Sequence, residues 1–137
     1  ANINCPGQVV ISGEAAAVTD ACEKLLAAGA KRAIPLAVSG PFHSSLMQPA
    51  AEKLKAEIDK VVFKAPKYKF IANVTADYVT DPSVIKELLV KQVCSSVLWQ
   101  QSVERMINDG VTEFVEVGPG TVLAGLVKKI QKAVVKA

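Results

Sequence analysis

The chain carries a single histidine, His43, within the stretch VSGPFHSSLMQP at residues 38–49. An imidazole is the side chain best suited to take and return a proton near neutral pH. Gly40 and Pro41 mark a turn ahead of the ring, and the patterns on either side place it between a strand and a helix. Open α/β sheets carry ligands and catalytic groups at such a junction. A base of this kind needs a nucleophile to act on. Ser44 and Ser45 adjoin the histidine but read as helix caps, and adjacency in sequence does not supply nucleophile-to-base geometry. There is no GxSxG elbow, and none of Cys5, Cys22 and Cys94 stands in one. Two readings stay open: a base whose nucleophile lies outside the chain, and a loop histidine with no chemical task.

EVGPGTVL at 116–123 is a second candidate, with a strand, a glycine turn and a helix start whose amides can face an anion. Leu123 stands where a dinucleotide fingerprint needs its third glycine, so a plain connection is the simpler reading. Three widely spaced cysteines without a CxxC pair suggest neither a disulfide framework nor a metal site. A net charge of +3 and one Trp among few aromatics give no footprint for nucleic acid. No apolar run reaches membrane-spanning length and the start has no signal-peptide pattern. The expected setting is cytoplasmic.

The elements that must position these groups alternate. Strands are predicted at 8–12, 32–39, 69–74 and 112–117. Helices are predicted from Ser12–Glu14 to Gly29, after Ser44 or Ser45, from Asp81-Pro82, around Trp99–Ile107 and around Leu123–Val134. The alternation and the 137-residue length predict one α/β unit. In the last helix Lys128, Lys132 and Lys136 share a face, either as a solvated surface or as a stripe that steers an acidic partner.

Taken in order, ANINCPGQVVISG, AKRAIPLAVSGPFHSSLMQPAAEKL, NVTADYVTDP, ELLVKQV, LWQQSVERM and GVTEFVEVGPGTVLAGLVKKI resemble the C-terminal half of the bacterial malonyl-CoA:acyl carrier protein transacylase family. The resemblance implies an acyltransferase that moves a malonyl group from coenzyme A to the phosphopantetheine thiol of acyl carrier protein by a ping-pong serine ester mechanism. Malonyl-CoA is then a substrate and no cofactor is implied. His43 would be the base, and Gln92, in the LVKQ stretch, would present a main-chain carbonyl to one ring nitrogen. Asn4 resembles a position lining the acyl and coenzyme cleft. Phe42 resembles an aromatic that crowds the substrate's α-carbon. The serine elbow and the arginine for the malonyl carboxylate belong to the N-terminal half of the family, which becomes an expected partner.

The implied fold is part of an α/β-hydrolase-like core, at 41–137, plus the later part of a ferredoxin-like small subdomain, at 1–40. Ser96 departs from the family, which commonly has proline there. The competing functions are an acyltransferase domain of a polyketide or multifunctional fatty acid synthase, and a non-catalytic module that binds carrier protein or coenzyme A.

Overall fold

The computed structural model describes residues 1–135. Its first element was not anticipated: NINC pairs with the predicted strand as an antiparallel hairpin of β1 (Asn2–Cys5) and β2 (Gln8–Val10). Pro6-Gly7 makes the turn, with Gly7 at φ 77°, and the register shifts between Ile3 and Cys5. A left-handed turn residue favours glycine, which has no Cβ to clash.

Helix α1 (Ala15–Ala27) ends as its sequence predicts. The Gly29 N–H bonds the Leu26 carbonyl and the Ala30 N–H bonds the Leu25 carbonyl, with Gly29 at φ 99°. This is the double hydrogen bond by which a glycine stop satisfies the last free carbonyls. None of its side chains is fully buried.

The segment after His43 starts differently from the prediction. Ser44 and Ser45 do not cap the long helix; a single 3₁₀ turn, Ser45–Met47, precedes α2 (Gln48–Ile58). The Ser44 hydroxyl donates to the Pro41 carbonyl at 2.7 Å, which closes the loop behind the histidine and leaves the helix start to Pro49, tolerated in the first turn. Next come a short hairpin of β3 (Ile71–Ala72) and β4 (Asp77–Tyr78), α3 (Pro82–Lys91), α4 (Trp99–Asn108) and α5 (Val122–Val134). The fold is mixed α/β.

Two predicted strands do not form. Residues 32–39 and 112–117 run without a ladder partner, and their apolar side chains face solvent, Val38 at 63% and Val117 at 93% exposure. A strand exists only through bonds to another strand, and among the described residues none lies beside them.

One buried cluster forms where β1 meets α4 and α5. Cys5, Val103, Leu126, Val127 and Ile130 make it, with Trp99, Met106, Ile107, Phe114 and Val134 packed around. A second contact joins α2 to α3 and α3 to β3, where Ala51, Ile85 and Ala72 are buried. The two are tied by Val97, whose carbonyl accepts from Ile3 at 2.9 Å and whose N–H reaches the Ala1 carbonyl at 2.8 Å.

Because Ile130 is fully buried and Leu25 is 46% exposed, the two leucine-sized residues should respond differently to truncation. Ile130→Ala should cost about 2–5 kcal/mol in urea denaturation, and Leu25→Ala under about 1 kcal/mol. Equal losses would place the core elsewhere.

Candidate active site

His43 is held from two sides. Its backbone has φ 59°, a left-handed conformation that costs a non-glycine residue roughly 1–2 kcal/mol. Histidine visits this region more readily than branched residues do. Two bonds to the segment just past α3 secure it. The His43 N–H donates to the Val93 carbonyl at 3.2 Å, and ring Nδ1 lies 2.8 Å from the Gln92 carbonyl. A carbonyl oxygen only accepts, so Nδ1 carries a proton, and in the neutral ring Nε2 has the lone pair.

Gln92 stands at the C-cap of α3, with its N–H bonded to the Leu88 carbonyl. The last carbonyls of a helix have no partner within it, and the imidazole fills one of these positions. The other end of α3 fixes where it begins. Asp81 caps the first turn, its carboxylate accepting from the Ser83 hydroxyl at 2.6 Å and the Ser83 N–H at 2.7 Å, with Pro82 following. Ten residues of helix then bring Gln92 to the histidine. The Gln92 side chain is occupied as well: its Oε1 accepts from Asn73 Nδ2 at 3.1 Å.

Asn73 attracted no notice in the sequence. Its only signal was a polar amide following the apolar run of β3, and its contact spans nineteen positions to Gln92. The pair lines a hollow of about 290 Å³ with Phe70, Ile71, Ile85 and Leu88. A second groove of about 320 Å³ between α2 and α3, edged by Lys55, Asp59, Lys86 and Cys94, does not include the histidine.

The structure brings His43 and Gln92 together directly. Phe42 precedes the ring and is 47% exposed, with its edge against Gly40. Asn4 lies on β1, half-buried, and no hydrogen bond joins its side chain to His43 or Gln92 among the described residues. No hydroxyl or thiol among those residues bonds the ring either. Ser44 is turned to Pro41, and the Cys94 thiol faces Gln48 Oε1 at 3.6 Å.

The glycine turn before α5 is not an open anion site. The Glu116 carboxylate accepts from the N–H groups of Leu123, at 3.2 Å, and Ala124, at 2.9 Å. The helix start is thus neutralised from within. On α5, Lys128 and Lys132 are exposed, and Lys136 lies outside the described residues.

Comparison with known proteins decides the lineage. A profile of the acyl transferase domain matches residues 1–136. The chain belongs to the acyl transferase domain family. It is 54% identical over 132 residues to a malonyl CoA-acyl carrier protein transacylase of Bacillus subtilis (strain 168), covering 96% of this chain and 42% of that protein. An acyl carrier protein S-malonyltransferase of Vibrio cholerae superposes with a TM-score of 0.93 at 47% identity, covering 96% of this chain and 43% of that one. A malonyl-transacylase solved in complex with its type II PKS acyl-carrier protein gives 0.92 at 44% identity, covering 96% and 42%. This acyl transferase chain therefore spans less than half the length of the relatives it matches.

Two predictions concern the supports of the site. The Ser83 hydroxyl, then the Ser83 N–H, hold the Asp81 carboxyl below its ordinary range. A folded-state value below the unfolded one stabilises fully above the unfolded value, near 4, and is lost as pH falls through the folded value. Unfolding at pH 7 and at about pH 3 should therefore show Asp81→Ala flattening this acid loss; an unaltered acid limb would remove the cap from the account. Glu116→Ala should cost about 1 kcal/mol and speed amide exchange at Leu123 and Ala124. Unchanged exchange there would mean the carboxylate contributes nothing to α5.

Proposed function

We propose that the longer protein to which this chain belongs transfers a malonyl group from coenzyme A to the phosphopantetheine thiol of acyl carrier protein, and that His43 is its base. The observation that carries the reading is the 2.8 Å bond between His43 Nδ1 and the Gln92 carbonyl, because it leaves Nε2 as the ring's acceptor. A serine supplied by the N-terminal half gives its proton to Nε2 as its oxygen attacks the thioester carbonyl. The thioester C–S bond breaks, the coenzyme A sulfur leaves with the proton from the imidazolium, and a malonyl ester remains on the serine. The carrier thiol then gives its proton to the same nitrogen and displaces the ester, which returns the serine hydroxyl. The Gln92 carbonyl takes the place of a triad carboxylate in orienting the ring.

Support for the missing half comes from surface. The runs 32–39 and 112–117 have no ladder partner among the described residues, and Ile34, Leu36, Val115 and Val117 in them are exposed. Contiguous exposed apolar surface marks a place where other polypeptide packs. We assign residues 1–40 to the later part of a ferredoxin-like small subdomain and 41–137 to segments of an α/β-hydrolase-like core. β1 docks the first on the second through Cys5. Asn4 lines the cleft between them, and Phe42, exposed beside the base, crowds the substrate's α-carbon. The chemistry uses acid-base and covalent steps only, so the reading calls for no cofactor. It suits a cytoplasmic setting; no described helix is long and apolar enough to cross a membrane. The relative solved with a type II PKS carrier protein favours a second reading in which the carrier belongs to a polyketide synthase.

In the full-length protein His43→Ala should lower kcat/KM by about 10² to 10⁴ while the melting temperature stays within a few degrees. A parallel loss of stability would reduce His43 to a structural residue. The chain alone, incubated with malonyl-CoA, should show no malonyl ester by mass spectrometry, and an adduct on Ser44 or Ser45 would overturn the division of labour.

A further inference from the structure

Gln92 has two carbonyls and both are in use. The main-chain oxygen faces His43 Nδ1 and the side-chain oxygen faces Asn73 Nδ2. Asn73 is itself anchored, since its main-chain carbonyl accepts from Leu98 N–H at 2.9 Å and the adjoining Val97 is bonded to Ala1 and Ile3. The two part-buried amides line a hollow shared with Phe70, Ile71, Ile85 and Leu88, where pairing limits the orientations each amide can take. Exchanging oxygen and nitrogen on both amides preserves the bond, so the pairing is robust to either assignment.

Position matters more than strength here. Gln92 is the C-cap residue, and helix ends fray because their carbonyls have no intrahelical partner. The Gln92 carbonyl also accepts from the Ser95 N–H at 3.4 Å, and the Val93 N–H of the same peptide unit bonds the Val90 carbonyl at 3.2 Å; a side-chain contact beside the helix adds to these long bonds in holding the carbonyl toward the imidazole.

We infer that Asn73 is the positioning residue for the His43 base: by gripping the Gln92 side chain it fixes the direction of the Gln92 main-chain carbonyl, which keeps the ring in its Nδ1–H tautomer and leaves Nε2 free to accept. The catalytic use of that tautomer rests on the function proposed above. The tautomer itself is a property of this chain.

His43 is the only histidine, so nitrogen-15 NMR of the chain at about pH 9, where an ordinary imidazole is neutral, reports one ring. The wild-type signal should be that of the Nδ1–H form. In Asn73→Ala the ring should become a mixture of tautomers and Nδ1–H should exchange with water about tenfold faster. Gln92→Met, which deletes the amide and keeps the main-chain carbonyl, should do the same, and the double variant should add nothing further. Asn73→Asp should restore the signal, because Gln92 can turn its NH₂ toward the carboxylate. In the full-length protein Asn73→Ala should lower kcat about tenfold with KM for malonyl-CoA unchanged. If Asn73→Ala fails to fold, Gln92→Met carries the test alone. An unaltered ring signal in the folded single variants would overturn the inference and leave the base reading to His43→Ala. A shifted tautomer together with full activity of His43→Ala would instead remove the base reading and keep Asn73 as the residue that sets the ring.

Discussion

A main-chain carbonyl at the end of a helix determines what the one imidazole of this chain can do. The Gln92 oxygen accepts from Nδ1, and that single bond decides the tautomer, the ring plane and which nitrogen remains free. A carboxylate in this place could rotate or bind a proton. A peptide carbonyl binds no proton near neutral pH, and its direction follows the residue that carries it. Orientation of the ring is thereby transferred to the placement of α3, and α3 is placed by Asp81 and Pro82 at one end and by α2 and β3 along its side. The orientation of the ring depends on where a helix stops.

The left-handed backbone of His43 belongs to the same arrangement. An unfavourable φ persists where surrounding bonds over-determine it, and here the residue's own N–H and ring both reach consecutive carbonyls, Gln92 and Val93. The Ser44 hydroxyl closes the loop onto Pro41, so the serine next to the histidine serves geometry and is turned away from the ring. The loop has no regular structure of its own, yet it is fastened at several points to a helix terminus.

Packing is unevenly distributed over the chain. β1, α4 and α5 bury a continuous cluster, whereas α1 buries nothing completely and the runs at 32–39 and 112–117 present alternating apolar side chains to solvent. Half of the residues are apolar, which is ample for a core, but the described residues enclose only part of them. The chain covers 42% of the length of the Bacillus subtilis relative.

Local signals in the sequence determined the elements whose ends are chemically marked. Asp81-Pro82 began a helix, Gly29 ended one, and the 3.6-residue periodicity placed α4 and α5. These features depend on neighbours three or four positions away, which sequence displays directly. The same locality made His43 visible as a loop imidazole, and resemblance to a family attached Gln92 to it. Tertiary structure alone decided the rest. The strand character of 32–39 and 112–117 depended on partners that propensity cannot supply, and β1 was missed because its pairing rests on a bulged register and on Val97, far along the chain. Nothing in the spacing of forty-nine residues shows that Gln92 offers its backbone to His43, and nothing in Asn73 shows its amide meeting Gln92. A hydrogen bond is a matter of ångströms between groups that the chain brings near only after its helices have packed.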